Sequence, residues 1–125
     1  MVIQCDIGKP CKRSLAICSD MLVRLNLLYL RRRRGDVPRL MRSGVRYRRE
    51  PRPVVERFQR IPEILRRGYG DCEDLASWRC AELRFFDGVA AVPWILNPRP
   101  RLFHVVVRLP SGRIEDPSAA LGMPT

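Results

Sequence analysis

A cysteine that opens a helix, a single histidine and an aspartate twelve residues after it are the parts of this chain that could do covalent chemistry. Cys72 follows a glycine-containing turn in GYGDCEDLASW, where a helix is expected to begin. A thiol in a first helical turn faces free N–H groups and the positive end of the dipole. Such sites lower a thiol pKa to roughly 3.5–7.5, so Cys72 is expected to be a thiolate nucleophile. A thiolate needs a base that becomes imidazolium and a carboxylate that orients the ring. His104, in FHVVV, is the only histidine, and Asp116 follows in EDPSAA. A hairpin turning at Ser111-Gly112 brings His104 and Asp116 close to facing each other on adjacent strands.

The elements that must position these residues follow from periodicity and breakers. Lys12 to Arg34 reads as a helix, with Leu15, Cys18, Leu22, Leu25 and Tyr29 at helical spacing and Gly35 as its stop. Residues 35–53 read as an irregular basic connection. A helix is expected over 54–67, with Val55, Phe58, Ile61 and Leu65 on one side and Pro62 dividing it or starting a second turn. Cys72 to Phe86 reads as a helix with Leu75, Ala76, Cys80 and Leu83 on its apolar side, closed by Asp87-Gly88. Val89–Leu96 and Leu102–Leu109 read as strands joined by a loop at 98–101, with a third short strand over Arg113–Asp116. Helices followed by an antiparallel sheet make an α+β domain, and 125 residues make one domain.

Charge is unevenly placed. Residues 1–60 carry 16 basic and 5 acidic side chains, and residues 61–125 carry 8 of each. RRRR at 31–34 and RYRRE at 46–50 make residues 31–52 a candidate contact for an acidic protein or a nucleic acid. Nearby aromatic residues for base stacking are limited to Tyr29 and Tyr47. No apolar run reaches 18 residues, so no membrane span is expected. The opening MVIQCDIGKP lacks the pattern of a secretory signal, and five cysteines without one read as reduced thiols of a cytoplasmic compartment. No cysteine pair has zinc-ligand spacing, and no cofactor motif or metal set is expected. Asp71 suits an N-cap, while Glu73 and Asp74 suit the first turn. Asp71 with Glu73 falls short of the 6–8 oxygens that calcium takes.

GDCEDLA, followed by FHVVV and then EDPS, resembles the core of the transglutaminase-like superfamily, which shares the papain-like fold. The likeness runs from about Phe58 to Ser118 and includes the upstream FxxIPEIL. It is most similar to bacterial transglutaminase-like cysteine proteinases and to small domains of tailed bacteriophages. The resemblance implies a core over 54–118, with Cys72 as nucleophile, His104 as base and Asp116 as orienting carboxylate. The Cys72 backbone N–H would be one oxyanion donor, Gln59 or Tyr69 the second, and Asp74 would bond neighbouring backbone. It implies a thiol enzyme acting on amide or peptide bonds through an acyl-enzyme, hydrolysis ahead of transamidation, with a protein or peptide substrate. The competing expectation is a structural or adaptor protein of a phage particle that docks through its basic N-terminal half, which would make it virion-associated.

Overall fold

In a computed structural model, residues 2–5, 12–49, 56–99 and 102–124 are described, with backbone only at 2–5, 56 and 57. Residues 50–55, 100 and 101, which belong to the expected connection, helix and loop, lie outside that set, as does Cys11. The central element is the helix the sequence marks most strongly. Helix α3 (Cys72–Asp87) begins at an Asp71 cap and ends at Gly88, whose φ of 64° suits a residue without a Cβ. Every residue from Cys72 to Trp78 is buried, as are Cys80 to Leu83. Being covered on all sides, α3 is the core rather than a surface helix.

Helix α1 (Lys12–Arg32) lies along it. Its buried line is Leu15, Ser19, Leu22, Val23, Asn26 and Leu30, rotated from the expected stripe of Cys18, Leu25 and Tyr29. The rotation places two polar side chains inward, of which Asn26 Oδ1 finds a partner while Ser19 Oγ and Asn26 Nδ2 have none among the described residues. The Ser77 hydroxyl donates to the Ser19 carbonyl at 3.3 Å, and the Ile61 N–H donates to Asn26 Oδ1 at 3.0 Å. A buried polar group with a partner costs little, whereas one without costs about 1–3 kcal/mol.

The expected helix over 54–67 divides. Glu56–Gln59 forms a strand, and helix α2 (Ile61–Arg67) begins only at the Ile61-Pro62 pair. Proline fits a first turn because its missing N–H is not needed there. The chain before it is drawn into an antiparallel pair with Val2–Cys5, an association no local signal announces. We number Val2–Cys5 β1, Arg46–Tyr47 β2, Glu56–Gln59 β3 and Tyr69–Gly70 β4. Strand β2 lies inside the expected irregular connection, which also contains a 3-10 turn at Leu40–Arg42. It runs parallel to β4, with Tyr47 opposite Gly70.

Strands β5 (Val92–Arg99), β6 (Leu102–Arg108) and β7 (Ile114–Glu115) form the three-stranded antiparallel sheet. β5 starts three residues later than expected and continues through Pro98 and Arg99 of the expected loop. The short helix α4 (Pro117–Ala120) closes the chain. The molecule is therefore mixed α+β, with α3 packed on β6. Among the described residues, no helix is long and apolar enough to cross a membrane.

Candidate functional site

Register brings the histidine to the aspartate. Val107 pairs with Glu115 and Arg108 with Ile114 across β6 and β7, which leaves His104 and Asp116 diagonal to one another just beyond the ladder. Diagonal neighbours are within reach of long side chains. His104 Nε2 lies 2.8 Å from Asp116 Oδ2. The other oxygen of the same carboxylate, Oδ1, accepts the Ala119 N–H at 3.2 Å and so caps α4. Asp116 is thus fixed from one side by a helix while its Oδ2 orients the imidazole.

Cys72 is the first residue of α3 and is 8% exposed. A hydrogen bond from the backbone of Val105, the residue after His104, stabilises the thiolate form of its sulfur. The donor to a thiolate is an N–H, so the sulfur sits against β6 near the point where β7 has turned away into Asp116. The proton side points elsewhere. The thiol donates to Glu73 Oε2 at 3.2 Å, and among the described residues no hydrogen bond joins Cys72 to His104.

This arrangement corrects the expected thiolate. Burial pushes the Cys72 thiol well above its ordinary value of 9.0, and the carboxylates of Glu73 and Asp71 push it further. A helix dipole acts as about half a charge and is opposed here by two carboxylates at close range. At rest the thiol is neutral. Replacing Glu73 with Gln removes the nearest charge while keeping the shape. Each unit by which the thiol comes down raises the thiolate fraction about tenfold near neutral pH. We expect iodoacetamide to modify Cys72 at least about tenfold faster in Glu73→Gln than in the parent. Cys80, pushed up to about 12 chiefly by burial, is the internal reference in the same peptide map. An unchanged Cys72 rate would show that Glu73 does not hold the proton.

Gln59 and Asp74 belong to the frame and not to the reacting surface. Asp74 Oδ1 accepts the Gln59 backbone N–H at 2.8 Å. Asp74 Oδ2 accepts Gln59 Nε2 at 3.1 Å and the Asp71 N–H at 3.2 Å. With Asp71 accepting the Cys72 N–H at 2.7 Å, this is a capping box that also clamps β3. Gln59, expected as an oxyanion donor, is fully buried, and its Nε2 is engaged by Asp74. The Cys72 N–H, the other expected donor, is taken up by Asp71. Tyr69 is half-buried beneath the Arg48 guanidinium, 4.8 Å from its ring centre. Among the described residues, no hydrogen bond links Tyr69 to Cys72, His104 or Asp116.

Tyr47 is the residue that sequence reasoning misses. Its place opposite Gly70 puts it beside the turn that carries Cys72, and its N–H donates to the Leu121 carbonyl at 3.0 Å. Burial raises its phenol to about 12, helped by the carboxylate charges of Asp71 and Glu73. Tyr47 is therefore a protonated donor within electrostatic reach of the sulfur. Its only signal in the sequence is an aromatic residue inside an arginine run, which points to base stacking rather than to a thiol.

One oxygen from each of Asp71 and Glu73, together with Cys72 Sγ, lie within 4.8 Å of one another. Three donors of mixed type fall short of the oxygen shell that calcium takes. Comparison of the chain with protein-family models, curated proteins and solved structures gave no match.

Proposed function

We propose that the chain is a transglutaminase-like thiol enzyme that cleaves amide or peptide bonds. The observation that carries this reading is the 2.8 Å His104–Asp116 pair beside the residue whose backbone meets the Cys72 sulfur. Nε2 engages Asp116, so Nδ1 is the nitrogen left to act as base. When substrate displaces the Glu73 contact, the thiol proton passes to Nδ1 and the sulfur attacks the carbonyl carbon. Electrons move onto the carbonyl oxygen, for which we take Tyr47, a phenol that stays protonated at working pH beside the Cys72 turn, as the candidate donor. Collapse breaks the C–N bond, and the leaving amine takes the proton from His104. Water then attacks the thioester with His104 again as base, giving a carboxylic acid and restoring the thiol. An amine in place of water would complete transamidation, and hydrolysis is the favoured course.

A peptidyl vinyl sulfone tests this reading, because it alkylates thiols that are positioned and activated by a base. The reagent should label Cys72 and spare Cys18 and Cys80, and His104→Ala should lose the label. The second reading, a structural or adaptor protein of a phage particle, is favoured by the neutral thiol held on Glu73. Labelling that ignores His104 would leave that second reading in place.

A further inference from the structure

The exposed arginines of this chain divide by their distance from Cys72. Arg31, Arg32, Arg33 and Arg34 end α1 beside the C-terminal end of α3. There Gly35 lies against Phe85 and Phe86, and Arg39 stacks 3.8 Å over Phe86 and lies 3.5 Å from Asp87. Helix α3 has 16 residues and so extends about 24 Å, which puts this run a helix length from the thiol.

A second group surrounds the Cys72 turn. The Arg46 N–H donates to Gly68 at 3.1 Å and the Arg48 N–H to Gly70 at 2.9 Å. Arg46 on β2, with Arg48 and Arg49 just after it, therefore lies next to the turn, and Arg66 and Arg67 end α2 directly before it. All five are exposed. Of the other arginines near α3, Arg60 meets Glu63 at 3.2 Å, and Arg79 meets Glu82 and Glu115, each at 3.1 Å. Arg46, Arg48, Arg49 and Arg66 have no carboxylate within ion-pairing distance among the described residues. Clustered like charge is self-repulsive, and a partner of opposite sign relieves it.

We propose that Arg46, Arg48, Arg49 and Arg66 form the docking site for an acidic flank of the peptide substrate. This rests on the thiol-enzyme reading for its peptide, though the charge pattern stands without it. Guanidinium groups bind carboxylates in paired, planar geometry. Asp71 and Glu73 keep negative charge beside the sulfur, so the acidic residues belong to the part of the peptide that leaves the sulfur toward β2 and α2. A nucleic acid fits less well. Stacking platforms are taken, since Tyr69 lies under Arg48 and Tyr47 is half-buried beside the carboxylates.

The test is binding, read without turnover on full-length protein carrying Cys72→Ala. A fluorescent peptide with a run of glutamates is titrated by anisotropy beside its glutamine counterpart and a single-stranded DNA of equal charge. The glutamate peptide should bind at least about tenfold tighter than the glutamine one. Arg49→Gln with Arg66→Gln, both exposed side chains, should weaken it about tenfold, while Arg31→Gln with Arg33→Gln should change it less than about twofold. Equal binding of the two peptides, equal loss in both pairs of variants, or tighter binding of the DNA would each overturn the proposal. None of these results depends on whether Cys72 reacts, so failure here is separable from failure of the enzyme reading.

Discussion

If the proposed thiol-enzyme reading holds, peptide-amide cleavage by the His104→Ala variant should fall by about 10²–10⁴-fold, the usual contribution of a positioned general base. The neutral thiol makes the loss severe, because burial and two carboxylates oppose ionisation and no other described base pairs with Asp116. Asp116→Asn keeps an oxygen for the Ala119 N–H and should lower turnover through imidazole orientation. Asp116→Ala also removes the α4 cap and should lose stability as well. Release of amine from a peptide substrate, followed alongside thermal unfolding of each variant, separates the two effects. Full activity in His104→Ala would end the triad reading.

Asp74→Ala should cost on the order of 3–5 kcal/mol of folding stability, because it strands three N–H donors around a buried site. Against a typical total of about 5–15 kcal/mol this is a third or more. The effect has a pH signature. Burial pushes Asp74 up to about 8 despite the donors from Gln59 and Asp71. That value is above the unfolded value of about 3.9, so the protonated group favours the fold at acid pH, and this contribution fades as pH rises from about 4 through 8. The gap between parent and Asp74→Ala, read from urea midpoints, should be wider near pH 5 than near pH 9. A gap under about 1 kcal/mol at both would show that water replaces the carboxylate.

What the sequence made legible was what local chemistry decides. Helix α3 was bounded within a residue because Asp71, Glu73 and Asp74 cap its start and Gly88 its end. The β6–β7 hairpin was readable from Ser111-Gly112, and with it the meeting of His104 and Asp116. Pairings between distant segments were not readable. β1 with β3, β2 with β4, and Tyr47 with Leu121 involve two to four residues each and carry no period of their own. The same gap hid Tyr47 and promoted Gln59, since neither burial nor hydrogen-bond use of a lone residue is written in its neighbours. The thiol was misjudged because a dipole can be seen in a sequence, whereas the burial of Cys72 and the direction in which Glu73 turns cannot.

Cys72 and Cys80 stand eight residues apart on one helix, about 12 Å along its axis. A disulfide needs Cα atoms roughly 4.4–6.8 Å apart, so these two can never join while α3 is intact. A sulfenic acid formed at Cys72 therefore has no resolving thiol on its own helix. Its rescue falls to a thiol from another element or a small molecule, and the alternative is onward oxidation to the irreversible sulfinic form. Burial and the Glu73 contact, by keeping the sulfur protonated, also keep it from the first rung of that ladder.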